Sequence, residues 1–243
     1  MLWQRRMQTL VQVIYPPRCL SCGGMVESDF GLCGMCWAET PFVAGLVCDL
    51  CGVPLPGSSD RAEQCDDCLQ TARPWAQGRA ALLYRDRGRR MVLALKHGDR
   101  HDIAKPAGKW MARSVRPILR SGTIVVPVPL HLRRLIRRRY NQSALLARSL
   151  SEELGCDWLP DALERPVATP SLDGRGRDER FAVLNEAIRV TPRWANALDG
   201  RPVLLVDDVM TSGATLAACA EACIAAGASE VCVAVLARVA KDT

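Results

Sequence analysis

The sequence has no apolar run long enough to cross a membrane: charge-free stretches such as 122–130 and 231–237 fall well short of the roughly 20 residues a spanning helix needs. Integral membrane proteins are excluded on that count. Two nucleotide-binding loops are missing as well, Gly-x-x-x-x-Gly-Lys-Ser/Thr and Gly-x-Gly-x-x-Gly, which removes P-loop hydrolysis and Rossmann dinucleotide binding. Aromatics are scarce at 5%, and Trp37, Trp75 and Trp110 are scattered in a way that suits packing better than base stacking. No signal-like core or small-residue cleavage site opens the chain. Instead Trp3, Met7, Leu10, Val11 and Ile14 share one helical face broken by Arg5 and Arg6, so a packing helix in a cytoplasmic protein is expected. What remains is globular composition, 49% apolar and 24% charged over 243 residues, enough for one or two domains.

Twelve cysteines are many for such a chain, and eight fall in four Cys-x-x-Cys pairs: Cys19/Cys22, Cys33/Cys36, Cys48/Cys51 and Cys65/Cys68. Each pair is a knuckle that points two thiolates at one metal, so four pairs make two tetrahedral four-thiolate sites. A secreted disulfide framework would need an export signal, and four dithiols within fifty residues exceed what redox catalysis requires. Two structural Zn2+ ions are the expected cofactors, with sequential and interleaved pairing both open. Residues 1–75 carry few large apolar side chains, and a module of that size is marginal by burial alone. A structural zinc contributes about 10–16 kcal/mol of apparent binding energy, which here is folding energy. With five arginines, no lysine and eight acids, residues 1–75 attract phosphate poorly and suit scaffolding or protein docking. Cys219, Cys223 and Cys232 read as small core residues.

Positive charge lies elsewhere. The stretch 103–151 contains eleven basic residues and no acid, and its densest part, 131–140, holds Arg133, Arg134, Arg137, Arg138 and Arg139. That part follows the apolar strand 123–129 and precedes a helical run from Asn141 to Leu154, a suitable place to hold anions. A solvated face and a genomic bias toward arginine, 28 against four lysines, are the bland alternatives.

Near residue 210 the chain reads Val203-Leu-Leu-Val206-Asp207-Asp208-Val209-Met210-Thr211-Ser212-Gly213-Ala214-Thr215. Four apolar β-formers predict a buried parallel strand ending at two carboxylates, followed by a turn that opens a helix to about Ala226. Successive amides of such a turn can wrap a phosphate, with Thr211, Ser212 and Thr215 adding hydroxyls. Paired acids beside that cradle suit the vicinal hydroxyls of a ribose, directly or through Mg2+.

This stretch resembles the phosphoribosyl diphosphate (PRPP) fingerprint of type I phosphoribosyltransferases. Pro-Pro-Arg-Cys-Leu-Ser-Cys-Gly-Gly at 16–24, Ala-Leu-Lys-His-Gly-Asp-Arg at 94–100, Val-Pro-Val-Pro-Leu-His from 126 and Arg-Arg-Arg-Tyr-Asn-Gln to 142 resemble the ComF competence-protein family over nearly the whole chain. The resemblance implies an α/β fold: a helix and double zinc-ribbon module over 1–75, then a mostly parallel-sheet phosphoribosyltransferase-like domain over 76–243. It implies that Asp207 and Asp208 contact the ribose as the catalytic acids and that Thr211, Ser212, Gly213, Ala214 and Thr215 hold the 5-phosphate. Leu130, His131, Arg133 and Arg134 take the diphosphate place, where guanidinium forks suit paired oxygens. Lys96 and His97 are either diphosphate contacts or surface residues. The expected partners are PRPP with Mg2+, single-stranded DNA tracked by Arg137, Arg138 and Arg139, and other DNA-uptake proteins. Pentosyl transfer in nucleobase salvage is the alternative role. The family's Asn-Val-x-Gly-Ala-Phe stretch is replaced by Arg180-Phe-Ala-Val183-Leu-Asn-Glu186-Ala-Ile188, in the segment expected to form a flap.

Overall fold

The structure, a computed structural model, describes residues 16–27, 31–166 and 187–240. The expected helix over 1–15 and the flap segment through 186 lie outside the described residues. In chain order the elements are α1 (Gly34–Ala38), α2 (Asp66–Gln70), β1 (Gln77–Leu83), α3 (Asp86–His97), α4 (Ala104–Val115), β2 (Ile124–Pro127), α5 (Leu132–Arg138), α6 (Gln142–Leu154), β3 (Asp157–Trp158), β4 (Leu163–Glu164), β5 (Arg189–Val190), α7 (Ala195–Leu198), β6 (Pro202–Met210), α8 (Ala214–Ala225) and β7 (Glu230–Arg238). Five strands form a parallel sheet in the order β1-β7-β6-β2-β3, and β4 pairs with β5 in a separate antiparallel ribbon.

The central strands read as continuous apolar runs because both faces are covered. Val203 and Leu205 of β6 pack into a core with Val126, Val233 and Leu216, under α8. Leu204 and Val206 pack the other way, against Leu95 of α3, Met111 of α4 and Leu150 of α6. Cys219 and Cys223 are buried on the inner side of α8 and Cys232 in β7; burial pushes Cys223 up to about 12 and Cys232 to about 11, so they remain thiols within the core. From β2 the chain passes through α6 toward β3 at one edge, and from β6 through α8 toward β7 in the opposite direction. Connections therefore diverge between the carboxyl ends of β2 and β6, where open α/β sheets place their ligands.

The cysteine-rich segment closes the sheet's other edge. Among the described strands β1 pairs within the sheet only with β7, and such an edge invites foreign strands. Here Val43 N–H donates to Ala81 O at 2.9 Å, Leu83 N–H to Pro41 O at 2.8 Å and Gly78 N–H to Asp49 O at 2.8 Å. Arg79 adds a charged bond to the Asp49 carboxylate at 2.8 Å. Gly52, at φ +69°, comes so close to β1 that a Cβ there would stand 2.5 Å from Ala80 N. Cys48, Cys51, Cys68 and Trp75 belong to the same apolar core as α8, while Leu20 joins the core on the opposite face.

Candidate functional site

Cys19, Cys22, Cys33 and Cys36 bring their sulfurs within 4.8 Å of one another, and Cys48, Cys51, Cys65 and Cys68 do the same. Pairing is thus sequential, the question that spacing left open. Four thiols in so small a space cannot all ionise unaided. Burial and the Cys33, Cys19 and Cys22 thiols push Cys36 up to about 12. Burial also raises Cys19, but backbone N–H groups of Cys22, Cys33 and Ser21 outweigh it and bring that thiol down to about 6. In the second cluster the neighbouring sulfurs hold Cys48 far below and Cys68 far above the usual thiol value. A divalent cation resolves this conflict, and each four-sulfur set fits a structural zinc.

At the divergence of the connections sit the two acids. The strand does not stop at them: it runs on to Met210, with Asp207 opposite Val235 and Met210 opposite Arg238. Ladder hydrogen bonds to β7 continue past the carboxylates, so the acids stand on rigid backbone rather than on a loop. Asp208 is buried, and its Oδ1 lies 3.1 Å from Lys96 Nζ near the end of α3. Its Oδ2 is buried with no hydrogen-bond partner among the described residues. Asp207 Oδ1 accepts from Ser143 Oγ and from the Asp208 N–H, both at 2.8 Å. Burial and then the Asp208 charge push Asp207 up to about 7, against the pull of Ser143, Lys96 and the Asp208 amide. Two adjacent acids, Asp207 half-buried and raised and Asp208 buried with an unsatisfied oxygen, form a site that gains from hydroxyl donors or a cation.

After Met210, Thr211 and Ser212 lead into Gly213, whose φ of +82° turns the chain into α8. Ser212 Oγ accepts weakly from the Ala214 N–H at 3.4 Å. First-turn amides lack intrahelical acceptors, so those of Ala214 and Thr215 face the turn with the helix dipole behind them. Thr211 is exposed and Thr215 half-buried.

Beside this turn, Leu130 and His131 follow β2. His131 Nδ1 accepts from the Arg133 N–H at 3.2 Å and caps α5. Arg133 is exposed, Arg134 is half-buried, Arg137 and Arg138 lie in α5, and Arg139 ends it at φ +67°. Asn141 Nδ2 donates to Val128 O at 3.0 Å while its Oδ1 caps Ser143, which ties the turn after β2 to the residue that holds Asp207. His97 is exposed, whereas Lys96 reaches inward to Asp208. Trp37 and Trp110 flank Phe42 at 4.4 and 5.3 Å and Trp75 is buried, so all three pack.

Sequence reasoning missed four residues. Ser143 is an ordinary helix-start serine until the fold brings it to Asp207. Arg165, buried just after β4, is held below the usual guanidinium range by burial and by Arg134, with Asp207 drawing it back. Arg73 and Arg238 brace the turn from beneath: Arg73 Nη1 donates to Ser212 O at 2.6 Å, and Arg238 Nη1 to Thr211 O at 2.8 Å. None has a local motif to announce it.

Residues 10–69 match the double zinc ribbon domain and residues 120–243 the phosphoribosyl transferase domain. DNA utilization protein YhgH of Escherichia coli strain K12 is 31% identical, over 83% of this chain and 88% of its own. Competence protein F of Haemophilus influenzae is 28% identical, over 82% and 87%. Competence protein ComFC of Bacillus subtilis is 26% identical, over 79% and 77%.

Proposed function

The chain belongs to the phosphoribosyl transferase domain family, in its ComF branch with a double zinc ribbon, and from that membership we propose that it binds PRPP between β2 and β6 and acts in natural transformation, on incoming single-stranded DNA in the cytoplasm. The observation that carries the ligand reading is the Asp208 carboxylate, with Oδ1 on Lys96 and Oδ2 buried without a partner among the described residues, beside Asp207 and a helix-opening turn. In this reading Asp207 and Asp208 hold the ribose hydroxyls, and the amides of 211–215 hold the 5-phosphate. Leu130, His131, Arg133, Arg134 and Lys96 line the diphosphate side, where guanidinium forks suit paired phosphate oxygens. Asp207 and Asp208 are also the oxygen donors that would hold Mg2+, a preference consistent with a buried orphan oxygen. When bound, Mg2+ supplies charge neutralisation of the diphosphate. Lys96 keeps the acids together until ligand arrives. The names of the relatives support a role in DNA uptake, and the run of arginines along α5 and at its end supports a site that tracks the phosphates of a single strand.

Transferase chemistry is the second reading, supported by the match of residues 120–243 to the phosphoribosyl transferase domain. Titration with Mg-PRPP tests the shared step. Stabilisation that disappears in the Asp207→Asn/Asp208→Asn double variant is expected, and no thermal shift at millimolar ligand removes the assignment. Pyrophosphate release with any nucleobase then selects the enzyme. Salt-sensitive single-strand binding lost on replacing Arg137, Arg138 and Arg139 by alanine, without pyrophosphate release, selects the DNA role.

A further inference from the structure

The two four-cysteine clusters are joined to the rest of the molecule in different places. The first is tied to the helical face: Arg87 Nη1 donates to Ser21 Oγ at 2.8 Å, and Arg100 Nη2 to Leu20 O at 3.2 Å. The second lies under the turn that opens α8. Arg73, five residues beyond Cys68 in the chain, donates to Ser212 O at 2.6 Å. Trp75 donates from Nε1 to Leu50 O at 2.7 Å, and Leu50 sits inside the Cys48–Cys51 knuckle. Both side chains press on Gly213. A Cβ at that position would stand 2.9 Å from Arg73 Nη1 and 3.1 Å from Trp75 Cη2. A further tie comes from β7, where Arg238 holds Thr211 O at 2.8 Å and faces Asp67 of α2 at 3.9 Å.

These contacts have a common consequence. The Thr211 and Ser212 carbonyls are held from below, Ser212 O by Arg73 just beyond the second cluster and Thr211 O by Arg238, which faces Asp67 beside Cys68. We propose that the second cluster is the platform of the phosphate turn, with Arg73 as its positioning residue, so that metal at Cys48/Cys51/Cys65/Cys68 and a phosphorylated pentose at the turn bind cooperatively while the first cluster is uncoupled. This rests on the phosphate reading of the turn. Loss of metal frees the knuckles, Leu50 and Cys68 shift, and the supports of Ser212 and Gly213 go with them. Linkage then requires the reverse effect: ligand at the turn tightens metal in the second cluster.

The test uses the zinc-loaded full chain, Arg73→Ala, Arg73→Lys, and Arg87→Ala as the matched change at the first cluster. Ribose 5-phosphate is the probe, since it reports the phosphate turn without a diphosphate. Expected are two zinc per chain in all four proteins, affinity about tenfold weaker in Arg73→Ala, recovery in Arg73→Lys, and no change in Arg87→Ala. Saturating ribose 5-phosphate should raise the chelator concentration that removes the second zinc in the parent chain but not in Arg73→Ala. Wild-type affinity in Arg73→Ala, or an equal loss in Arg87→Ala, overturns the coupling. If the parent chain does not bind ribose 5-phosphate, the ligand reading fails and hydrogen exchange decides the platform separately: faster exchange at 211–215 in Arg73→Ala sustains it, and unchanged exchange overturns it.

Discussion

Asp207→Asn should make the ligand-free protein more stable at high pH while removing a carboxylate that the PRPP reading assigns to the ribose. The substitution keeps an acceptor for Ser143 Oγ and removes the charge. Burial and Asp208 raise Asp207 from 3.8 to about 7, so the folded chain holds a proton that the unfolded chain has released. The sign follows from that difference: the parent chain loses stability as pH rises from about 4 to about 7, at about 1.4 kcal/mol per unit, and then levels off. Over the whole window the loss is about 4 kcal/mol, and the part within pH 5.5–8.5, where zinc sites survive, is about 2 kcal/mol. Groups that titrate in both proteins cancel in the difference. Urea unfolding of parent and variant at five pH values supplies that difference directly. The stability of Asp207→Asn relative to the parent should climb by about 2 kcal/mol from pH 5.5 to 7 and flatten above. A pH-independent difference, or one that falls, would refute the placement of a raised acid at this point.

Metal analysis of the purified chain should give two zinc per chain, and one after Cys51→Ser/Cys68→Ser, because each ion draws on its own four sulfurs; interleaved sites would lose both. Gly52→Ala places a methyl 2.5 Å from Ala80 N at a left-handed φ, and should cost about 1–3 kcal/mol in chemical denaturation. Lys96→Met leaves Asp208 without its 3.1 Å partner and should destabilise by about 3 kcal/mol at pH 8 but less at pH 6, where Asp207 carries a proton; Lys96→Arg should restore much of it.

How much of this was readable follows from how far apart in sequence the interacting groups lie. The Asp-Asp pair, the turn and its helix are contiguous, so their juxtaposition was legible as a string. Cys-x-x-Cys knuckles are equally local, but which knuckles share an ion depends on how four turns pack, and the sequential answer needed coordinates. Strand β6 was expected to end at its acids, since charge at a strand's end is the ordinary pattern; it continues because β7 keeps pairing with it to Arg238, which a single strand's sequence cannot express. Lys96 and Asp208 are farther apart still, as are Ser143 and Asp207, and no period or spacing links them. Arg73 follows the last Cys-x-x-Cys pair and belongs to no motif. Its place under Ser212 depends on the ribbon docking along β1, a contact made largely by backbone groups together with the sequence-distant Arg79–Asp49 pair. Read this way, the cysteine-rich module is more than a separate fold stapled by metal. It completes an open sheet edge, contributes to the apolar core, and sets the backbone of the turn on which the phosphate reading rests.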